Sequence, residues 1–174
     1  MAPPRPATLR RRPLLLALAL PAVLGGCGFR LRQAPSFAFR SIWLDAKAAG
    51  ALGGELRSAL AQTEGLSVHT AAADRARSDV VLDVLKETRE QVAVGLNISG
   101  QVREFELRLS IVFRLQTPTG KELIADTELQ QRREMSYTET TALAKEAEQA
   151  LLFTAMQRDL AQQILQRLAA VRAL

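Results

Sequence analysis

The chain has 174 residues, a length that suits one ordinary domain and is too short for two well-formed hydrophobic cores. Its formal net charge is +5, but four of its arginines lie within the first dozen residues. Without the segment before Cys27 there remain 19 basic and 18 acidic residues, so a broad surface for binding nucleic acid or another polyanion is not indicated.

The segment 1–26 has the pattern of a cleaved secretory signal peptide. A basic stretch that ends in Arg10, Arg11 and Arg12 precedes the apolar run PLLLALALPAVLGG, and small residues close the segment. The run is too short to span a bilayer well, since a hydrocarbon core needs roughly 20 apolar residues. A buried core helix is the alternative, which the arginines in front of it make unfavourable. The paired arginines leave both the general secretory route and the twin-arginine route open.

Cys27, the only cysteine, follows Leu24, Gly25 and Gly26, and this tetrapeptide resembles a bacterial lipobox. In a lipobox the thiol receives a diacylglyceryl group, the chain is cleaved in front of the cysteine, and the new amino terminus is acylated. A lone cysteine cannot form an internal disulfide, which leaves a buried free thiol as the alternative. Two or more acyl chains, such as palmitate, anchor a protein stably, whereas one gives only marginal binding.

The lipid anchor is expected to lie in the outer membrane. Gly28 follows Cys27, whereas an aspartate at that position retains a bacterial lipoprotein in the inner membrane. The sequence therefore predicts a single mature domain, residues 27–174, that is anchored to the outer membrane through the acylated Cys27 and faces the periplasm.

Short segments with strand and helix patterns open the mature chain. Phe29 and Leu31 alternate with arginines and predict a strand that begins beside the lipid anchor. Residues 41–46, SIWLDA, predict a second strand, in which packing inside the fold is favoured for Trp43 and contact with a partner is the alternative. A helix is predicted over residues 50–62, followed by the short strand LSVH.

Three long strands separated by glycine-containing turns follow, and they predict an antiparallel meander. The first runs from Val80 toward Val94, and its first half is apolar on both faces. The second, in the segment QVREFELRLSIVFRLQ, has an apolar face formed by Phe105, Leu107, Leu109, Ile111, Phe113 and Leu115. The third repeats the pattern more weakly at Leu123, Ala125, Leu129, Met135 and Tyr137.

The last segment, residues 141–171, repeats apolar side chains at steps of mostly three and four, which predicts one long helix. The predicted buried stripe consists of Leu143, Ala147, Ala150, Phe153, Leu160, Ile164, Leu168 and Val171. Two helices and a meander that share one apolar face imply an α+β fold. In this two-layer sandwich both helices pack on one face of a mostly antiparallel sheet of four or slightly more strands.

The sequence contains no recognised catalytic or phosphate-binding motif. His69 is the sole histidine, so no second histidine joins it in a metal site or a catalytic dyad. Carboxylate pairs such as Glu104 and Glu106 alternate with arginines, a pattern typical of a solvated strand face. The sequence therefore predicts a protein that is not an enzyme and uses neither a cofactor nor a metal ion.

Two segments resemble the lipopolysaccharide-assembly lipoproteins of the LptE family. They are GCGFRLR, residues 26–32, and ALAKEAEQALLFTAMQRDLAQQILQRL, residues 142–168, and the predicted order of elements between them is similar too. That family folds as two helices on a four-stranded sheet and sits as a plug inside the β-barrel LptD, which places lipopolysaccharide in the outer leaflet. The resemblance implies an LptD-like barrel and lipopolysaccharide as the partners of this chain. Many members have a tryptophan where Phe29 stands, so an aromatic residue is kept.

The resemblance also implies a ligand-binding lysine. The lysine of the family's ALAK segment falls on Lys145, and the family is thought to bind lipopolysaccharide through basic residues near one end of the sheet. Guanidinium groups form charge-assisted bonds with phosphates. Strand and turn position alone adds four more candidates: Arg89, Arg103, Arg132 and Arg133. A solvated surface is the alternative for all of these cations, and for Lys145 a pairing with Glu148 or Gln149 on its own helix.

Two further classes of function stay open at the level of sequence. An auxiliary lipoprotein of a lipid ABC-transport system shares the anchor and a mixed sandwich fold. An enzyme would have to rely on the acidic pairs alone. Copurification with a barrel, copurification with an ABC complex, and loss of turnover on mutating a carboxylate distinguish the three classes.

Replacement of Cys27 by serine is expected to leave an exported, folded and unlipidated protein, because the acceptor thiol precedes the core and takes no part in it. Labelling of growing cells with a radioactive fatty acid should mark the wild-type protein and not the Cys27→Ser variant. Equal labelling of both proteins would show that Cys27 is not the acceptor.

Overall fold

The computed structural model describes residues 36–45 and 50–174. The predicted signal segment, the acceptor Cys27 and the predicted strand at Phe29 and Leu31 lie outside these residues. Within them the elements are, in chain order, β1 Ser41–Leu44, α1 Gly50–Ala61, β2 Ser67–His69, β3 Val80–Leu96, β4 Val102–Gln116, β5 Glu122–Ser136 and α2 Ala142–Ala170. Short 3₁₀ turns occupy Ala72–Arg77 and Glu139–Thr141.

The strands form one sheet in the order β2-β1-β3-β4-β5. β1 runs parallel to both β2 and β3, and α1 supplies the crossover that the parallel β1–β2 pair requires. β3, β4 and β5 form the predicted antiparallel meander and contribute most of the sheet. Both helices join one core with the same sheet face, so the predicted two-layer α+β fold is confirmed, with five strands in the part of the chain described.

β4 carries the centre of the hydrophobic core. Its predicted apolar face is confirmed, and five of these side chains are at most 1% exposed: Leu107, Leu109, Ile111, Phe113 and Leu115. Phe105, at the start of the same face, is half-buried and meets the ring of Tyr137 edge to face at 5.1 Å. The helices contribute Leu52, Leu56 and Leu60 of α1 and Met156, Leu160, Ile164 and Leu168 of α2 to the same core.

Trp43 lies on the sheet face opposite to the helices and is nevertheless buried, with 5% of its surface exposed. Its Nε1 donates a hydrogen bond to the carbonyl oxygen of Ala71 at 2.9 Å. The guanidinium carbon of Arg75, in the first 3₁₀ turn, lies 4.8 Å from the centre of its ring. The packing role predicted for this tryptophan is therefore confirmed.

One extra residue in β5 changes which of its side chains face the helices. Phe113 pairs with Thr127 whereas Leu115 pairs with Ile124, so two steps along β4 match three along β5. Ile124 therefore packs against the core, while Ala125 is exposed. The prediction for Ala125 was wrong because a bulge shifts the period of two by one residue. Beyond the bulge, Leu129 and Met135 are buried as predicted. Before it, Leu123 is partly buried and also packs against the core, next to a second register shift between the pairs Leu115–Ile124 and Gln116–Glu122.

β3 contains a similar bulge at Leu85, since Val84 pairs with Phe113 and Lys86 pairs with Val112. Before the bulge, the strand places apolar side chains on the helix side. After it, polar side chains lie on that side, each opposite a buried residue of β4: Glu87, Arg89 and Gln91. The second half of β3 therefore places polar side chains at the edge of the core, and these three residues form its polar margin.

α2 is one long helix, as predicted, but its first half buries residues other than those expected. Three apolar side chains that were predicted to be buried are exposed: Leu143, Ala147 and Ala150. The side of the helix that faces the sheet instead follows steps of three and four residues back from the buried Met156. It contains Phe153, which is buried, and Gln149 and Lys145, which are half-buried. The prediction was wrong because the polar margin of β3 lies beneath this half of the helix, and polar side chains of α2 meet it.

Asp79 ties the beginning of β3 to the beginning of β1. Its Oδ2 accepts hydrogen bonds from the backbone N–H groups of Arg40, at 2.8 Å, and Ser41, at 3.0 Å, and its own N–H donates to Ser41 Oγ at 2.8 Å. The bond from the Arg40 backbone is the main cause that holds the pKa of Asp79 below its ordinary value of 3.8, against the opposing effect of burial.

Asp79→Asn is expected to lower the free energy of unfolding at pH 7 by about 1–2 kcal/mol, because hydrogen bonds to a charged acceptor are replaced by bonds to a neutral one. A folded pKa below the unfolded value means that this stabilisation is complete above the unfolded value of 3.8 and is lost as the pH falls through the folded value. Urea unfolding at pH 7 and at lower pH measures the difference, which should shrink below pH 3.8.

Asp126→Asn is the control for this experiment, because the Asp126 side chain is 58% exposed and only contacts Arg114 at 3.9 Å. An equal loss of stability in both variants, or a difference from wild type that persists at low pH, would contradict the role given to Asp79.

Candidate functional site

A cleft opens on the helix side, between the second half of β3 and the first half of α2. Its larger cavity, of about 560 Å³, has a lining that includes Arg89, Phe153, Thr154 and Gln157. A neighbouring cavity, of about 200 Å³, has a lining that includes Phe105, Met135, Tyr137 and Lys145. The two cavities adjoin, since both are lined by Gln91, Glu146 and Gln149.

Arg89 lies in the larger cavity and is held by a carboxylate on its own strand. Its Nε and Nη2 donate to Glu87 Oε1 at 2.9 Å and 2.7 Å. Its guanidinium carbon lies 5.6 Å from the centre of the Phe153 ring, a cation–π contact with α2. The side chain remains 44% exposed, so an anion that enters the cleft can reach it.

Lys145 lies in the smaller cavity and faces the sheet from the start of α2. Its Nζ donates to Ser136 Oγ at 3.1 Å and to Glu148 Oε2 at 2.7 Å. The side chain is only 18% exposed, while that of Glu148 is 46% exposed. The pairing with Glu148, one of the alternatives that the sequence left open, is therefore present, and it is solvated enough to be exchanged for another anion.

Arg132 and Arg133 are adjacent in β5 and lie on opposite faces of the sheet. Arg133 is on the helix side, where its Nη2 donates to Asp159 Oδ2 of α2 at 2.7 Å. Arg132 lies directly across from Arg108 of β4 on the face without helices. The pair of arginines therefore cannot bind one phosphate group together.

Arg103 is exposed at the start of β4 and lines a separate cavity of about 210 Å³ beside the turn Glu139–Thr141. Of the five cations that the sequence offered as ligand contacts, two line the cleft: Arg89 and Lys145.

Two residues that form hydrogen bonds at the cleft were not predicted. Glu87 receives Arg89, and Gln157, which is 3% exposed, donates its Nε2 to Glu87 Oε1 at 3.1 Å. Helical spacing offered a signal for Gln157, since it lies four residues after Phe153 on the buried stripe. The sequence offered no signal for Glu87, because only the bulge at Leu85 turns this side chain toward the helices.

Exposed apolar side chains cluster in two other places. The tip of the β3–β4 hairpin presents Val94, Leu96 and Ile98, which are 50%, 63% and 107% exposed. Asn97 braces this turn, with its Oδ1 accepting from the backbone N–H groups of residues 99 and 101 at 3.0 Å and 2.9 Å. On α2, Leu143 and Leu151 are 84% and 72% exposed. Such side chains mark surfaces that contact other molecules when they lie together.

The described residues contain no group of three or more histidine, cysteine or acidic side chains arranged to hold a metal ion. His69 Nδ1 lies 4.0 Å from Asp74 Oδ2, a pair at the margin of the sheet. None of the helices within 36–45 and 50–174 is long and apolar enough to cross a membrane.

Three solved structures are similar to this chain over most of its length. The lipoprotein B of Nitrosomonas europaea is 30% identical, with a TM-score of 0.68 and coverage of 82% of this chain and 91% of that one. The rare lipoprotein B of Shewanella oneidensis is 28% identical, with a TM-score of 0.62 over 75% and 94%. The minor lipoprotein of Acinetobacter baumannii is 21% identical, with a TM-score of 0.62 over 78% and 94%, and shows the fold alone.

No curated protein sequence matches the chain significantly. A family model does: the one described as LptE, lipopolysaccharide-assembly, matches residues 33–168, which include each strand that the structure describes and almost all of α2. The match includes the segment 142–168, one of the two on which the resemblance was based, and agrees with the two helices packed on one sheet face. Sequence, fold and structural relatives thus agree that this chain belongs to the LptE family of lipopolysaccharide-assembly proteins.

Proposed function

We propose that this protein is an outer-membrane lipoprotein that plugs an LptD-like β-barrel, helps to assemble it and binds lipopolysaccharide during its insertion into the outer leaflet. Segment 1–26 is removed, Cys27 carries the lipid, and the single domain faces the periplasm. Family membership over residues 33–168 supports the assembly role. The lipobox and the relatives named as lipoproteins support the anchor.

The cleft is the observation that carries lipopolysaccharide binding. It brings Arg89 and Lys145 to one side of the sheet, with the rings of Phe105, Tyr137 and Phe153 in the same lining. Phosphate groups of a lipid match the two cations, and the sugar or acyl portion of such a ligand matches the aromatic and apolar lining. Arg89 is 44% exposed, and Glu148, the partner of Lys145, is 46% exposed, so a phosphate can approach each ion pair and compete with its carboxylate.

The face of the sheet without helices suits the interior of a barrel. Side chains that point into the lumen of an outer-membrane barrel are polar, so a plug is expected to present charges rather than a greasy surface. β4 and β5 supply such a face with Glu104, Glu106, Arg108, Arg132 and Glu134. This surface carries both signs in separate bands, since Glu106 lies opposite Glu134 and Arg108 lies opposite Arg132, which favours a partner with complementary charges over a single polyanion.

Binding and assembly require no bond to be made or broken, and the chain is accordingly proposed to act without catalysis, cofactor or metal ion. The assembly role is tested by crosslinking in intact envelopes followed by affinity purification of this protein. Recovery of an LptD-like barrel is expected, whereas recovery of an ABC-transporter complex instead would favour the auxiliary-lipoprotein alternative.

Lys145→Asp is expected to weaken binding to purified lipopolysaccharide by about tenfold, since one charge-assisted contact becomes a repulsion. The barrel should still copurify, because a large interface does not depend on one charge. Affinity is measured by titration with lipopolysaccharide, and wild-type binding should also weaken with salt as the Coulombic attraction is screened.

Lys121→Asp is the matched control, because Lys121 is exposed after the β4–β5 turn, at the end of the meander opposite to the hairpin tip. Unchanged binding by a folded Lys145→Asp protein, or an equal loss in Lys121→Asp, would remove Lys145 from the site.

A further inference from the structure

We propose that Glu87 is a positioning and specificity residue of the cleft. In the free protein its carboxylate pairs with the guanidinium of Arg89, and a phosphate-bearing ligand must compete with that carboxylate for Arg89. This inference rests on the proposed binding of lipopolysaccharide and assigns a regulator to that site. Competition from Glu87 would make the cleft selective for ligands that contact other lining residues in addition to Arg89.

The contacts of Glu87 show a carboxylate that is fixed in place. Its Oε1 accepts three hydrogen bonds, from Arg89 Nε at 2.9 Å, Arg89 Nη2 at 2.7 Å and Gln157 Nε2 at 3.1 Å. Its side chain is 16% exposed, and Gln157 is 3% exposed among the core residues of α2. The buried amide therefore holds the carboxylate even when the arginine leaves.

The beginning of α1 lies close to Glu87. A Cβ placed on Gly50, the first residue of that helix, would lie 3.8 Å from Glu87 Oε2. A helix amino terminus favours a negative charge, and α1 has no acidic residue in its own first turn. Gln157 thus binds one carboxylate oxygen, and the other lies near a helix end that favours its charge.

Arg89 is more exposed than Glu87 and has fewer restraints on its position. Its side chain is 44% exposed, it has a long flexible stem, and its remaining contact is the face of Phe153, which a guanidinium can keep while it turns toward the cleft. When an anion arrives, the arginine moves and the carboxylate stays. Binding therefore exchanges one charge-assisted pair for another, and Glu87 opposes it by electrostatic competition.

This competition discriminates between ligands that share the same phosphate chemistry. Inorganic phosphate can take only one cation at a time, Arg89 or Lys145, from its carboxylate, and it gains little from that exchange. A phosphorylated lipid engages both cations and the aromatic lining together, which outweighs the loss of the Glu87 pair. The carboxylate would keep the cleft free of small anions and admit the larger ligand.

Glu87→Gln tests the proposal, because glutamine has the same shape and can still accept from Arg89 and Gln157, while the competing charge is gone. Affinity for purified lipopolysaccharide is expected to rise by about three- to tenfold, the size of one charge-assisted contact exchanged for a neutral one. Inorganic phosphate should also begin to compete with lipopolysaccharide in the variant, and not in the wild-type protein. Adding Arg89→Gln to the variant should abolish both gains.

Glu55→Gln is a matched control, because Glu55 also pairs with an arginine, its Oε2 lying 3.8 Å from Arg158 Nε, and it lines neither cavity of the cleft. It changes the net charge equally and should leave both affinities unchanged. A gain of the same size in this control would overturn the proposal, since it would reflect net charge alone. Unchanged or lower affinity in folded Glu87→Gln would overturn it as well, and a loss of packing cannot imitate a gain in affinity.

The wild-type protein offers a measurement that does not depend on how a variant folds. On titration with lipopolysaccharide, the side-chain NMR resonance of Arg89 Nε–H should shift while that of the Gln157 amide stays. An unmoved Arg89 resonance at saturation would overturn the role of Glu87 and leave lipopolysaccharide binding through Lys145 intact. Absence of any binding by the wild-type protein would overturn the proposed function together with this inference.

Discussion

The inward face of β4 is the constraint on which the rest of the structure depends. Five successive inward side chains of β4, the middle strand of the β3–β4–β5 meander, are almost fully buried. Each contributes about 1.5–3 kcal/mol when it is removed from water, so the strand cannot slip by one residue without turning all of them to the solvent. The neighbouring strands and both helices therefore adjust to β4, and the bulges of β3 and β5 are where they do so.

The bulge of β3 links this packing to the proposed site. It brings Glu87 and Arg89 to the helix side, opposite Ile111 and Leu109 of β4. Polar groups in such a place need partners, and α2 provides one in Gln157. The first half of α2 accordingly directs polar side chains at the sheet and leaves Leu143 and Leu151 exposed, so a cleft remains where a tightly packed apolar layer would otherwise lie.

The surfaces of the domain differ in a way that suits the proposed role. The helix-free face of the sheet carries charges of both signs, the cleft contains two cations that are paired with carboxylates, and apolar side chains are exposed at the hairpin tip and on α2. A protein held between a barrel wall and a phosphorylated lipid has to meet polar, anionic and apolar chemistry at once. The carboxylate partners of Arg89 and Lys145 would make its lipid site selective rather than merely attractive.

Much of the fold follows from the sequence alone. The period of two in β4 and the steps of three and four in α2 determined the element types, and their shared apolar character determined a two-layer sandwich. The family was also readable, because the lipobox region and the ALAK segment lie in continuous stretches. Lys145 came from that segment, and it does line the cleft.

Tertiary structure alone decided which side chains meet. The bulges of β3 and β5 have no distinctive residue type in this chain. Each extra residue nevertheless inverts the alternation that follows, so the bulge of β5 turns Ala125 outward and the bulge of β3 turns Glu87 inward. Gln157 and Glu87 are 70 residues apart and are joined only because α2 lies across β3. The sequence by itself determined the layers and the family, whereas the partner of Arg89 depended on strand register and helix placement, which local patterns do not encode.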